Sequence, residues 1–166
     1  MKIYRISLCV IISALIVGCS TTKSIPEGDR LYTGMKKIEY ISPQKGKHFY
    51  ATQEELNAAL AAAPNGSLFG SSIIKSPFPI GLWIWNEFVG SDNPLDKWLL
   101  KSFGAKPVLI SSVNPELRAS VGKEVLRAHG YFRGNVKPEV ISQKNPKKAK
   151  VGYKVLKLLT IKELVE

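Results

Sequence analysis

Few side chains in this sequence could do covalent or acid–base chemistry, and their spacing decides what each can do. There are two histidines, His48 and His129, and two cysteines, Cys9 and Cys19. His48 falls in a basic loop. His129 immediately precedes Gly130, and a histidine in the last turn of a helix makes a favourable contact with the helix dipole. Glu54 and Glu55 are adjacent, but Glu55 reads as the far half of a capping box begun by Thr52. Glu116 falls in the first turn of another helix, where an acid is electrostatically favoured. No CxxC, HExxH, glycine-rich phosphate loop or GxSxG occurs. These residues compose no catalytic set and no metal-binding set. The expectation is a protein that is not an enzyme, with no cofactor and no small-molecule substrate.

Cys19 is the exception. Lys2 and Arg5 form a short positive region, and residues 6–17 are an apolar run of about a dozen residues, the length of a secretory leader's core. That run is too short to span a bilayer comfortably. It closes on Leu15-Ile16-Val17-Gly18-Cys19. A small residue before the cysteine and an aliphatic one three before it resemble the lipobox cut by bacterial lipoprotein signal peptidase. The resemblance implies removal of residues 1–18 and lipidation of Cys19, with palmitate among the chains. Each buried methylene contributes about 0.8 kcal/mol, so several acyl chains anchor far more firmly than one. Cys9 leaves with the leader, so the mature monomer has no disulfide. Ser20 rather than Asp follows the cysteine, which by resemblance to sorting rules favours the outer membrane.

The formal charge of +11 becomes +9 once Lys2 and Arg5 are removed. Such an excess raises nucleic acid as a partner. Export away from the chromosome, and lysines that are not interleaved with stacking aromatics, argue against it. An acidic periplasmic partner or anionic phospholipid heads suit the charge better. A hydrophobic content of 45% over 166 residues suits one globular domain, or one domain plus an elaboration.

Residues 19–34 read as a lipidated N-terminus and linker, and residues 35–42 as a first strand ending at Pro43. Thr52-Gln53-Glu54-Glu55 opens a helix with Leu56, Ala59, Leu60 and Ala63 at helical spacing, stopped by Pro64-Asn65-Gly66. Residues 65–80 should be irregular. Residues 81–89 and 93–101 read as two short helices or turns, the second capped by Asn93 with Pro94 at its first position. Residues 107–110 read as a short strand or extended connection. Asn114 and Pro115 open a second main helix with Leu117, Val121, Val125 and Ala128 on one face, closed by His129 and Gly130. Residues 135–142 and 148–156 form a hairpin, with Ala149, Val151, Tyr153 and Val155 on one face and Lys148, Lys150 and Lys154 on the other. A further strand begins near Thr160.

Two clusters leave alternatives open. The aromatics Trp83, Trp85, Phe88, Trp98 and Phe103 either pack a core or form an exposed interface. The lysines from Lys144 to Lys157 either coat a solvated turn and strand face or contact an acidic partner or lipid heads.

The order strand, helix, helix, strand, strand, with Gly130-Tyr131-Phe132 before the hairpin, resembles a POTRA (polypeptide-transport-associated) domain. More particular are Lys97-Trp98-Leu99, Pro107-Val108-Leu109-Ile110-Ser111, Asn114-Pro115-Glu116-Leu117-Arg118, Lys137-Pro138-Glu139-Val140-Ile141 and Lys147-Lys148-Ala149-Lys150-Val151-Gly152-Tyr153. With the lipobox they are similar to the N-terminal region of TamL, the BamA/TamA-family outer-membrane assembly lipoproteins. The resemblance implies an α+β fold: a POTRA-like β-α-α-β-β domain over residues 35–156 with a helical insertion at 64–113. Residues 157–166 would begin a second repeat, truncated before any β-barrel. It also implies a periplasm-facing role at the outer membrane, binding unfolded outer-membrane protein clients or a periplasm-spanning partner subunit by β-strand addition. The edge residues expected for this are Val136, Lys137, Glu139, Val140 and Ile141, with residues 35–41 as the other edge. The rival expectation is a small spacer lipoprotein of the envelope without assembly activity.

Overall fold

A computed structural model describes residues 21–41, 45–69, 71, 73–156 and 158. The expected leader, Cys19 and the expected strand near Thr160 lie outside the described residues.

The fold is α+β, and its organising strand is the last one. Strand β4 (Lys148–Leu156) alternates: Ala149, Val151, Tyr153 and Val155 are buried, whereas Lys148, Lys150 and Lys154 take the opposite face, on which Gly152 is also covered, close to Ile141. That alternation lets β4 sit centrally with one face on the core. Strand β3 (Asn135–Ser142) pairs antiparallel with it in unbroken register, from Asn135 opposite Leu156 to Ser142 opposite Ala149. On its other side β4 takes two short parallel strands laid end to end, β1 (Leu31–Met35) and β2 (Glu39–Tyr40). A register shift between Tyr32 and Met35 kinks this edge. The expected single strand over 35–42 is therefore two, and the ladder starts within the stretch read as linker. Leu31 and Tyr32 are the cause, since both side chains are buried.

Helix α1 (Lys47–Leu60) begins five residues before the expected cap, directly after Gly46 at a φ of 127°. The Thr52–Glu55 capping box does not form. Thr52 is interior to the helix, and its hydroxyl donates to the His48 carbonyl at 2.9 Å, one turn back. Helices α2 (Ile80–Phe88) and α3 (Pro94–Phe103) pack against each other, and α3 has the expected Asn93 cap on the Leu95 amide. A single turn α4 (Ile110–Val113) leads into α5 (Pro115–Ala128), where the Asn114 side chain accepts from the Leu117 amide at 3.2 Å.

The core face of α5 is not the expected one. Leu117 and Val121 are exposed, while Pro115, Ala119, Gly122 and Leu126 are buried. Close approach is the reason. A Cβ on Gly122 would lie 3.1 Å from Leu60 Cδ2, 3.2 Å from Leu56 Cδ1 and 3.4 Å from Val136 Cγ2. Small residues on α5 admit the leucines of α1, so Leu117 and Val121 turn outward while Leu126 stays in the core. Arg118 ties the two helices at the C-terminus of α1. Its guanidinium donates to the Ala61 carbonyl at 2.6 Å, and its Nε to the Val113 carbonyl at 3.0 Å.

Candidate functional site

The two edges of the sheet differ in what covers them. Along β1 the Tyr32 amide donates to the Val108 carbonyl at 2.8 Å, and the Ile110 amide donates to the Arg30 carbonyl at 2.9 Å. The extended segment before α4 thus acts as a short antiparallel partner, with Leu31 opposite Leu109. Lys75 Nζ donates to the Thr33 carbonyl at 2.9 Å, closing the same edge further along. Strand β3, in contrast, pairs with β4 alone among the described residues.

Which main-chain groups of β3 face outward follows from parity. The amides of Leu31, Lys36 and Ile41 donate to the carbonyls of Lys147, Val151 and Val155, so odd-numbered residues of β4 serve β1 and β2. Even-numbered residues of β4 therefore serve β3, whose partners in register are Asn135, Lys137, Glu139 and Ile141. The Gln143 amide donating to the Lys148 carbonyl at 3.1 Å continues the same alternation. The groups pointing away from β4 are then those of Val136, Pro138, Val140 and Ser142. Pro138, which has no N–H, occupies one of the four positions where none is needed for the ladder.

Of the five residues expected at this edge, Val136 and Val140 direct their amides and carbonyls outward, whereas those of Lys137, Glu139 and Ile141 bond to β4. Apolar alternation alone does not reveal this parity. Pro138 does, because a proline within a strand must turn its nitrogen away from the ladder.

The surroundings of the edge are basic. At the start of β3, Lys123 and Arg127 of α5 join Arg133, Lys137 and the exposed ring of Phe132 around an open cleft of about 370 Å³. Arg127 is partnered by Glu124 at 2.8 Å. On the helix-free face, Lys154 pairs with Glu139 across the hairpin at 3.1 Å, and Lys75 lies near Lys148 and Lys150. Burial, then the charges of Lys150 and Lys148, push the Lys75 ammonium below its ordinary range.

One juxtaposition is not visible in the sequence. Both histidines meet at the junction of α1 and α5, with ring centroids 5.7 Å apart. His129 Nε2 lies 2.6 Å from Glu55 Oε2, and Tyr131 Oη lies 3.5 Å from His48 Nδ1. Glu55, expected to cap its own helix, instead reaches the end of the other one. No group of three metal-ligating side chains close enough to hold an ion occurs among the described residues.

None of the five clustered aromatics is fully buried: Trp83, Trp85 and Phe88 are half-buried, with the Trp83 Nε1 enclosed, and Trp98 and Phe103 are exposed. No family model, curated protein or solved structure matches this chain.

Proposed function

We propose that this chain is a periplasm-facing POTRA-type module of an outer-membrane protein assembly factor, tethered by an acylated Cys19, that binds client or partner polypeptides by strand addition along β3. The observation carrying this reading is the contrast between the edges: β1 is closed by the segment before α4, while the outward groups of Val136, Pro138, Val140 and Ser142 have no partner strand. Main-chain pairing is indifferent to client sequence and needs no catalytic side chain. The element order supports the POTRA reading, because removing α2 to α4 leaves strand, strand, helix, helix, strand, strand, with β1 and β2 laid end to end against β4 where that order has one strand. The lipobox supports the tether.

One observation favours the spacer alternative. Pro138 deprives the open edge of one donor, and prolines blunt edges that must stay solitary. The two readings separate in a titration of the full chain with an extended peptide of alternating apolar residues. Strand addition requires saturable binding that Val140→Pro weakens about three- to tenfold by removing one outward donor. An edge that binds no such peptide belongs to a spacer.

A further inference from the structure

The chain just after Cys19 is not a free tether. Ser24 donates to the Asn86 side-chain carbonyl on α2 from its amide at 3.2 Å and again from its hydroxyl. Lys23 Nζ lies 3.6 Å from Glu87, and Ile25 is buried with Leu31 and Leu82. Five residues span at most about 18 Å fully extended, so chain length alone limits an anchor at Cys19 to about that distance from Ser24.

The helices held there are covered poorly. Helix α3 buries none of its residues, and Leu95, Trp98 and Phe103 are each more than half exposed. The exposed surface runs on into α2. The Trp98 and Phe103 rings are in edge contact, Gly81 sits against the Phe103 carbonyl, and the Phe78 ring meets Trp83. Phe78 and Ile80 are likewise more than half exposed. Lys97 and Lys101 occupy the polar side of α3. An aromatic-rich face with lysines behind it is the pattern of a helix lying in a membrane interface. No described helix is long and apolar enough to cross a membrane.

We infer that the α2–α3 hairpin is a second membrane contact, seating its Phe78–Ile80–Leu95–Trp98–Phe103 face in the headgroup boundary beside the acylated N-terminus. This inference rests on the acylation of Cys19. The short pinned segment is what selects lipid as the occupant: an acylated Cys19 enters a bilayer only five residues before the chain is held against the helix hairpin that carries this face.

The three tryptophans of the chain, Trp83, Trp85 and Trp98, all lie in this hairpin, so intrinsic fluorescence reports on it alone. The test is the full chain on vesicles of phosphatidylethanolamine and phosphatidylglycerol, with and without bromine on the acyl chains near the headgroups. Bromolipid should quench the emission by about half, and Leu95→Ser with Phe103→Ser should remove most of that quenching while the unfolding midpoint stays unchanged. Vesicle-bound chain that bromolipid leaves bright and aqueous acrylamide quenches overturns the inference. So does shielding from both quenchers in a particle of two copies, or shielding that appears only when a client polypeptide is added. Mass spectrometry of Cys19 and the Cys19→Ala chain separate the two claims. If Cys19 carries no lipid, the tether fails, and the hairpin contact stands only if the chain still binds vesicles and is quenched.

Discussion

Gly122 concentrates the packing of the molecule into one position. Leu56, Leu60 and Val136 all converge on the space a Cβ would fill. Val at this position must push apart two helices and a strand, at a cost of about 1–3 kcal/mol. Urea unfolding of Gly122→Val should show a lowered midpoint with an unchanged slope, and an unchanged midpoint would contradict the close packing. This position also explains what was hard to read. Leu117 and Val121 have the size and spacing of a core face, whereas the true face runs through Pro115, Ala119, Gly122 and Leu126, and its two middle positions contribute by being small. Thr52 and Glu55 satisfy the local rule for a helix start, but the preceding turns are held by Phe49, which is buried, so tertiary packing outweighs the cap signal. Glu55 and His129 are 74 residues apart, and nothing local announces their contact.

At the scale of elements, β3 and β4 were legible because alternation and turn residues mark a hairpin without reference to the rest of the chain. The reach of β1 was not, because its burial depends on β4, more than a hundred residues later. Likewise, which residues of β3 turn their backbones outward depends on β4 having partners on both sides. The parity makes adjacent positions unequal. Proline at Ile141 removes a donor to β4 and should destabilise the fold by about 1–3 kcal/mol. Proline at Val140 removes only an outward donor and should cost far less. Thermal melts of Ile141→Pro and Val140→Pro test this directly, and equal losses would contradict the assigned register. The uncovered helices α2 and α3 belong to this scale as well. Their composition allowed core or interface, and only the arrangement of the elements shows that most of their aromatic surface lies outside the core.

Across the whole molecule, three buried phenols link stability to alkaline pH. Burial pushes Tyr32, Tyr40 and Tyr153 up from about 10 to about 12. Tyr40 Oη and Tyr153 Oη are enclosed without a hydrogen-bond partner among the described residues, whereas Tyr32 Oη donates to the Ala62 carbonyl at 3.0 Å. Because the fold favours the neutral phenol, the stability they support is complete below about pH 10 and is lost as pH rises towards 12. The urea midpoint should therefore fall over that interval. A midpoint independent of pH there would contradict their burial.

Strand addition requires β3 to offer its outer edge to an extended polypeptide. Amide hydrogen exchange in the full chain, with and without the alternating apolar peptide, measures it residue by residue. The amides of Lys137, Glu139 and Ile141 should be protected in both states, while those of Val136, Val140 and Ser142 should slow about tenfold or more when peptide is added. Protection that appears instead along residues 31–41, or at no backbone site at all, would contradict it.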